Sequence, residues 1–174
     1  MITLADLQAI CPRTKAAKLS LYVEPLNATM EEFEISANVA RETHFLAQVA
    51  HESGGFNYVR ELASGEAYEG RSDLGNNEIG DGVRFKGRGL IQITGRSNYA
   101  DCGTALGADL VANPELLEQP DLAARSAGWF WNSRHLNEYA DKGDARAITK
   151  RINGGLNGYQ DRLTYLQLAQ ERLA

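Results

Sequence analysis

The sequence predicts a mainly α-helical protein (α+β) with a small β element, and three observations support this prediction. Apolar residues recur at helical spacing over most of the chain, glycines and prolines separate these stretches, and one short stretch alternates apolar and polar residues. With 174 residues, of which 43% are hydrophobic, the chain is long enough to bury one sizeable core. We therefore expect a single domain over residues 1–174.

The first part of the chain predicts a scaffold. Residues 3–11 and 13–24 predict two short helices on either side of Pro12. Pro25 predicts a turn, which the acidic residues 31–34 follow. We assign no chemistry to this part.

A longer helical pattern begins at Ser36, which suits an N-cap, and includes Val39 and Leu46 near helical spacing. Two consecutive glycines at 54–55 end it, because glycine is a poor helix former. Glu52 therefore falls in the last turn of a mostly buried helix. A carboxyl group partly withdrawn from water there is suited to keep a proton for catalysis, whereas an exposed glutamate at a helix end is the more ordinary alternative.

Residues 64–89 predict a long loop or small lobe. Seven glycines separate polar and charged residues in this segment, and no apolar period is sustained. Segments of this length without regular structure often carry binding or active-site residues. Residues 90–94 then alternate like a short half-buried strand, which would place Gln92 and Thr94 on one face.

Four helices are predicted in the second half of the chain, over residues 97–106, 120–136, 144–152 and 158–173. The aromatic run 129–131 lies within the second of them. Aromatic side chains can stack on sugar rings, but core packing is the more ordinary use of such a run.

Charge and cysteine content exclude several classes of protein. Residues 1–124 carry 10 Lys and Arg against 18 Asp and Glu, whereas residues 125–174 carry 8 against 5. The basic residues are scattered over helical stretches, so we expect no nucleic-acid partner. We expect neither an export signal nor a membrane anchor, because the first residues and all apolar runs lack the required pattern. Cys11 and Cys102 predict free buried thiols.

The pair His51-Glu52 suggests a zinc protease, but the sequence contradicts this interpretation. A second histidine would be needed four residues after the first, and that position is Gly55.

Glycoside hydrolysis needs an acid and a second carboxylate, and the sequence offers candidates for both. Glu52 is the candidate acid. Asp161 and Arg162 are neighbours in the sequence, and such a pair is most often a surface ion pair. Composition does not choose among the candidates for the second carboxylate, which are Glu61, Glu66, Glu69, Asp73, Glu78 and Asp81. Neutral side chains suited to sugar hydroxyl and acetamido groups are Gln92, Thr94, Asn98, Asn153 and Asn157.

Four separated motifs occur in a specific order along the chain. They are FLAQVAHESGG at 45–55, FKGRGLIQIT at 85–94, NPEL at 113–116 with AGWFW at 127–131, and INGGLNG at 152–158 with Asp161-Arg162. In this order they resemble the family 19 glycoside hydrolases, a chitinase-like family that also includes phage endolysins acting on peptidoglycan. The match spans about residues 40–165.

The resemblance implies roles for the matching residues. Glu52 would be the general acid and Glu61 the general base, with Glu66 and Glu69 as alternatives because plant chitinases separate acid and base by more residues. Thr94 would help to hold the attacking water. The substrate-binding residues would be His51, Gln92, Asn98, Asn153 and Arg162, and Arg162 would also support the catalytic carboxylates.

The resemblance also implies a lysozyme-like, two-lobed helical fold with its smaller lobe at about residues 56–95. Members of the family invert anomeric configuration by an acid and a base on opposite faces of the sugar. No metal and no organic cofactor are implied, and nothing in the chain marks a separate wall-binding module.

Departures from the plant members narrow the expected substrate. The chain lacks their long loops and cysteine pairs, and Asn157 stands where many of them carry an acid. We expect a monomeric phage or prophage endolysin that hydrolyses β-1,4 bonds in peptidoglycan. It would be made in the host cytoplasm and reach the periplasm and cell wall after holin-dependent release.

Two other functions stay open. A chitinase cleaving β-1,4-linked N-acetylglucosamine uses the same chemistry. A non-catalytic glycan-binding protein is the alternative of another class, against which the joint retention of Glu52, Glu61 and Thr94 argues.

Overall fold

A computed structural model describes all 174 residues and contains ten α-helices joined by turns and loops. The mainly helical prediction is confirmed, and the small β element consists of two isolated bridges, from Arg60 to Arg88 and from Arg88 to Ile93. The helices are α1 (Leu4–Ile10), α2 (Ala16–Ser20), α3 (Val23–Glu32), α4 (Val39–Glu52), α5 (Asp81–Arg84), α6 (Arg96–Leu106), α7 (Pro120–Ser133), α8 (Leu136–Asp141), α9 (Ala145–Asn153) and α10 (Tyr159–Leu173).

Helix α4 lies at the centre of the core and packs most extensively against α10. Eight consecutive residues of α4, from Thr43 to Ala50, are buried. Phe45 meets Trp131 of α7 edge to face, with the ring centroids 5.4 Å apart. The indole of Trp131 is fully buried, and its Nε1 donates a hydrogen bond to Asn137. The aromatic run of α7 thus serves core packing, as the sequence indicates.

The two ends of α4 are determined by side-chain hydrogen bonds. Asn38, rather than the expected Ser36, is the N-cap, because its side chain accepts from the backbone N–H of Arg41 at 2.9 Å. At the other end, the Ser53 hydroxyl donates to the carbonyl of Val49 and accepts from the N–H of Phe56. Glu52 is the last helical residue, so its predicted place in the last turn is confirmed.

The prediction of a turn at Pro25 is wrong, because Pro25 lies in the first turn of α3. A proline is tolerated there, since the first backbone N–H groups of a helix have no partner within it. The helix expected at 13–24 is therefore divided between α2 and the start of α3.

The strand expected at residues 90–94 is a sequence of turns. Gln92 has a left-handed backbone with φ of 62°, and its N–H bonds to the carbonyl of Gly89. Ile91 and Ile93 are buried and Gln92 and Thr94 are less so, as in a half-buried strand, although Leu90 is buried as well. Alternation alone therefore does not separate a strand from these turns.

The helices of the second half start and end within one residue of the predictions, with one exception. The helix expected at 120–136 ends at Ser133, and α8 begins three residues later. His135 lies between the two helices in a left-handed conformation, with φ of 54°, which breaks the helical hydrogen-bond pattern.

The glycine-rich segment 64–89 contains two short 3-10 turns and the one-turn helix α5. Buried Asn76 joins it to α6, because its side chain donates to the carbonyl of Tyr68 and accepts from the N–H of Arg96. The guanidinium of Arg96 also pairs with Asp81 at 2.8 Å. Side-chain hydrogen bonds to loop backbone thus replace regular structure in this segment.

None of the helices combines the length and apolar character needed to cross a bilayer. Cys11 and Cys102 are free and buried, which confirms the prediction, and burial raises the pKa of both thiols to about 12.

We predict an acid-dependent loss of stability at the ion pair that joins the start of α4 to the end of α8. Hydrogen bonds from Arg41 and Asn38 lower the pKa of Asp141 to about 2. Because the pKa is lowered on folding, the pair stabilises the protein above about pH 4 and ceases to do so as the pH falls through 2. Asp141→Asn should lower the stability at pH 7 by at most about 1 kcal/mol, since the pair is partly exposed.

The measurement is thermal unfolding of both proteins between pH 7 and pH 2, where the two melting curves should converge. Asp101→Asn is the control, since Asp101 is an exposed acid on α6. A difference that persists unchanged at pH 2 would contradict the assignment.

Candidate active site

Glu52 forms an ion pair with a buried arginine. Its Oε1 lies 2.7 Å from Nη2 of Arg162 on α10, and the two side chains are 19% and 2% exposed, respectively. A buried guanidinium is costly unless it is paired and hydrogen-bonded, so this contact joins α4 and α10 at the helix end that carries the acid. The surface pair considered for Asp161 and Arg162 is therefore wrong.

Asp161 pairs instead with His51, whose Nδ1 lies 2.6 Å from its carboxylate Oδ2. The loop before α10 lies directly on the His51 ring, because a Cβ at Gly158 would come within 2.6 Å of Nε2. Gly158 has φ of 69° as well, so both space and backbone conformation require glycine. His51 thus fixes the loop that follows Asn153 beside Glu52.

Glu61 is held by the backbone of Gly87 in both directions. The N–H of Glu61 donates to the Gly87 carbonyl at 2.9 Å, and the N–H of Gly87 donates to Oε2 of Glu61 at 2.8 Å. The hydroxyl of Tyr68 donates to the same oxygen at 3.2 Å. Burial and the charge of Glu61 raise the pKa of Tyr68.

The second oxygen of Glu61, Oε1, is buried and has no hydrogen-bond partner in the protein. An unpartnered buried carboxylate oxygen is costly and is uncommon outside functional sites. The carboxylate is thus fixed through one oxygen and has an acceptor free on the other.

Three of the residues singled out in the sequence converge around Gly87. A Cβ at this position would lie 2.6 Å from Oε2 of Glu61, 2.7 Å from Oε1 of Gln92 and 3.3 Å from Oγ1 of Thr94. Because Gly87 has no side chain, these three groups can approach its backbone closely. The absence of a Cβ at residue 87 determines the spacing of this part of the site.

Hydrogen bonds along the chain continue this cluster into α6. The Thr94 hydroxyl donates to the carbonyl of Gln92 at 3.0 Å, and the side chain of Asn98 donates to the carbonyl of Thr94 at 2.7 Å. The left-handed backbone of Gln92 costs about 1–3 kcal/mol, and such strain concentrates at functional sites. Asn153 has no hydrogen bond to this cluster and is exposed at the end of α9.

The other candidate carboxylates have structural partners or solvent around them. Both oxygens of Glu69 accept backbone N–H groups, from Gly80 and Gly82. Glu66 is exposed. Asp73 pairs with Arg71, and Glu78 and Asp81 pair with Arg96. Among the six candidates, only Glu61 contacts the cluster around Gly87.

Arg88, the arginine of the Gly-Arg-Gly motif, connects the segment around Gly87 to Glu118 and to α6. It is 9% exposed, and its guanidinium contacts Glu118 at 3.1 Å, the carbonyl of Arg84 and the hydroxyl of Tyr99. Its backbone forms both β-bridges. Arg88 therefore supports the geometry around Gly87 from behind.

Sequence reasoning missed two residues of the candidate site, one that contacts the arginine partner of Glu52 and one that contacts Glu61 directly. Gln48 bonds to Arg162, and its place one helical turn before Glu52 was the available signal, since residues four apart share a helix face. Tyr68 bonds to Glu61 across an irregular loop. No periodicity connects residues in such a loop, so the sequence carried no signal for Tyr68.

A helical fold with two carboxylates on different elements, surrounded by neutral polar side chains and without a metal-ligand cluster, is typical of glycoside hydrolases. The family model for glycoside hydrolase family 19, described as chitinase class I, matches residues 27–149. The chain belongs to glycoside hydrolase family 19, a chitinase-like family of glycosidases.

Relatives and solved structures agree with this assignment. A glycosyl hydrolase family 19 domain-containing protein of Haemophilus influenzae is 35% identical over 157 residues, which cover 72% of this chain and 76% of the relative. An Arabidopsis thaliana endochitinase is 39% identical over 111 residues, which cover 63% of this chain but only 38% of that enzyme. Chitinase C from Streptomyces griseus superposes with a TM-score of 0.79 and 25% identity over 97% of this chain and 75% of its own.

A class IV family 19 chitinase from Zea mays has the same fold, with a TM-score of 0.74 and 24% identity over 99% of this chain and 92% of its own. The lysozyme-like helical fold implied by the sequence motifs is therefore confirmed.

We predict that Gly87→Ala lowers activity while the protein still folds. The new methyl group would displace Glu61, Gln92 and Thr94 together, and a misplacement of about 1 Å in a catalytic site can cost about 100-fold in rate. The backbone of Gly87 is not in the left-handed region, so alanine is tolerated there conformationally. Hydrolysis of a glycan substrate should fall at least about 10-fold.

Gly143→Ala is the matched control. Gly143 has φ of 67° and open space around its Cβ position, so alanine adds backbone strain of about 1–2 kcal/mol away from the site. It should lower the melting temperature and leave the specific activity unchanged. Equal activity of Gly87→Ala and the wild type would contradict the arrangement described around Gly87.

Proposed function

We propose that this chain is an endolysin that hydrolyses β-1,4 glycosidic bonds in the glycan strands of bacterial peptidoglycan. The observation that carries the hydrolytic part of the proposal is the contrast between the two carboxylates. Glu52 is held by a buried guanidinium at the end of a rigid helix, and Glu61 is fixed through one oxygen with the other free.

In the proposed mechanism, Glu52 reacts in its protonated form and gives its proton to the glycosidic oxygen, while the Glu61 carboxylate accepts a proton from the attacking water. Exchange with solvent then removes the proton from Glu61 and restores one to Glu52 before the next turnover. Oε1 of Glu61 has no protein partner and would accept the proton of that water once a movement of the side chain exposes this buried oxygen. The Thr94 hydroxyl near Gly87 would help to hold the water. Water attacks the anomeric carbon from the face opposite to the leaving group, so the configuration inverts. Gln92, Asn98 and Asn153 would bind hydroxyl and acetamido groups of the sugars.

Arg162 has two roles in this scheme. It counterbalances the Glu52 carboxylate that remains after proton donation, and it keeps that carboxylate oriented towards the substrate. Because Arg162 is buried and donor-only, it does not compete with Glu52 for the proton that is transferred.

The preference for peptidoglycan over chitin rests on charge beside the acid. A depression next to the end of α4 is lined by residues that include Arg13, Gly54, Asn57 and Asp161. Lys18 reaches the same place, since its Nζ donates to the carbonyl of Asn57 at 3.3 Å. Neither cation has an acidic partner, because the ion pairs of the protein involve other residues.

Peptidoglycan carries carboxylates on its lactyl groups and stem peptides, whereas chitin is neutral. The one acid in the lining, Asp161, is already paired with His51. Arg13 and Lys18 are therefore available to attract an anionic glycan towards Glu52.

The proposed biological setting follows from the substrate. We propose release of a monomeric enzyme from the host cytoplasm through a holin, action in the periplasm and cell wall, and lysis of the host cell. The chitinase names of the plant and Streptomyces relatives make chitin the competing substrate.

We predict that Glu52→Gln abolishes wall hydrolysis. The substitution is near-isosteric and its amide oxygen can still accept from Arg162, so the protein should fold, with a lower melting temperature because a buried charge loses its partner. Loss of a general acid should lower turnover at least about 100-fold. The measurement is the clearance of turbidity of outer-membrane-permeabilised cells, run beside hydrolysis of chitin oligomers.

Glu42→Gln is the matched control, since it removes the same charge from the same helix ten residues earlier. Cleavage of chitin oligomers without wall clearance would contradict the endolysin proposal in favour of a chitinase. Binding of glycan without hydrolysis of either substrate would identify a non-catalytic binding protein. Products that retain the β configuration would contradict the inverting mechanism.

We predict that the double substitution Arg13→Gln and Lys18→Gln weakens the action on peptidoglycan selectively. Hydrolysis of purified sacculi at low salt should fall several-fold, mainly through a higher KM, because the removed charges attract the substrate rather than react with it. Hydrolysis of neutral chitin oligomers, where it occurs, should not change. High salt should narrow the difference between the variant and the wild type.

The control is Arg146→Gln, which removes an exposed charge at the start of α9. Strands stripped of stem peptides by an amidase retain only the lactyl carboxylates, so they distinguish the two sources of negative charge. An equal effect on neutral and anionic substrates would contradict the role of these cations.

A further inference from the structure

Gln48 is a buried amide that connects the helix of the candidate acid to two other helices, α9 and α10. It lies on α4 one helical turn before Glu52, on the same face of the helix, and is 2% exposed. Buried amides are retained only where all their hydrogen bonds are made, because an unpaired polar group in the core is costly. Its partners therefore indicate what it does.

The hydrogen bonds of Gln48 determine the orientation of its amide. Oε1 accepts from Nη1 of Arg162 at 2.5 Å, and Nε2 donates to Oγ1 of Thr149 on α9 at 3.2 Å. Arg162 can only donate hydrogen bonds, and the Thr149 hydroxyl already donates its proton to the carbonyl of Ala145. The oxygen of Gln48 must therefore face Arg162, and the nitrogen must face Thr149.

Arg162, held by Gln48, also contacts Glu52 and the loop before α10. Its Nη2 meets Oε1 of Glu52 at 2.7 Å, and its Nε donates to the carbonyl of Asn157 at 3.2 Å. All the guanidinium nitrogens thus have protein partners. Of these partners only Glu52 carries a charge, since Gln48 contributes an amide and Asn157 a peptide carbonyl.

We propose that Gln48 is a positioning residue for the acid: by holding Arg162 with a neutral acceptor, it leaves Glu52 as the sole carboxylate on the guanidinium and aligns that carboxylate for proton transfer. This inference rests on the proposed function, since it assigns Gln48 a role in the same reaction. The chain Thr149, Gln48, Arg162 and Glu52 runs through α9, α4 and α10. It therefore couples the acid to the end of α9, where Asn153 would contact the sugar.

The first test uses Gln48→Met and Gln48→Glu. Methionine fills nearly the same volume without hydrogen bonds, so Arg162 loses its alignment, and turnover should fall at least 10-fold while KM stays within about 3-fold. Glutamate keeps the shape and still accepts from Arg162, but it diverts the guanidinium from Glu52. Turnover of Gln48→Glu should therefore fall, and its melting temperature should fall as well, because one glutamate oxygen would face the Thr149 hydroxyl, whose proton is donated to the carbonyl of Ala145.

A purely structural role predicts a different outcome. Ile35→Val, which removes a buried methylene group from the turn Ile35–Ala37 before α4, is the control for a general loss of stability. If turnover of Gln48→Met falls no further than that of an equally destabilised Ile35→Val protein, or if Gln48→Glu turns over like the wild type, the positioning role is wrong. Thr149→Val, which leaves the hydrogen bond between Gln48 and Arg162 in place, should have a smaller effect on turnover than Gln48→Met.

A second test does not depend on activity. A double-mutant cycle of Gln48→Met and Glu52→Gln, followed by unfolding in denaturant, measures whether the two residues are coupled through Arg162. The changes in unfolding free energy should be clearly non-additive. Additive changes would overturn the inference whichever glycan the enzyme cleaves.

The two proposals can fail separately. Turnover of each variant is compared with the wild type on the glycan that the wild type cleaves, either sacculi or chitin oligomers. If only chitin oligomers are cleaved, the endolysin proposal fails and the role of Gln48 is still measured on them. If neither glycan is cleaved, the proposed function fails, and the cycle alone decides whether Gln48 holds the Glu52 pair.

Discussion

The buried guanidinium of Arg162 is the constraint on which the acid side of the site depends. A charge that is 2% exposed is tolerated only with an opposite charge and full hydrogen bonding, and Glu52 supplies that opposite charge. The helix end that carries Glu52 is therefore joined to α10 by the same contact that would orient the acid. One ion pair thus joins α4 to α10 and would also orient the proposed acid.

The base side of the site is built on a different principle. Glu61 lies in an irregular segment, where the backbone N–H of Gly87 and the hydroxyl of Tyr68 fix one of its oxygens. The missing side chain at Gly87 lets Gln92 and Thr94 approach the same point. A rigid helix thus holds the proposed proton donor, and a glycine-dependent loop holds the groups that would handle water. The helix that holds Glu52 and the loop that holds Glu61 are different parts of the sequence, so a substitution can alter one without altering the other.

The mispredicted elements have a common physical origin. Pro25 is a local signal for a turn, but in the folded protein it lies in the first turn of α3. Ser36 is a local signal for an N-cap, but Asn38 caps α4. The alternation of buried Ile91 and Ile93 with the less buried Gln92 and Thr94 is compatible with a half-buried strand and with the turns around Gln92. In each case a short pattern was compatible with two structures, and contacts with distant residues chose between them.

The sequence by itself determined the helical class, the end of α4 at Glu52, the family and the set of candidate residues, because helical periodicity, consecutive glycines and ordered motifs are local properties of the chain. Only the tertiary structure decided which residues meet. In the folded protein, Arg162 pairs with Glu52, and Asp161 pairs with His51. Gln48 and Tyr68 contact residues of the site. Of the six candidate acids in its segment, only Glu61 lies against Gly87. The physical reason is that partners of buried charges are chosen by packing across 100 or more residues, for which spacing along the chain carries no signal.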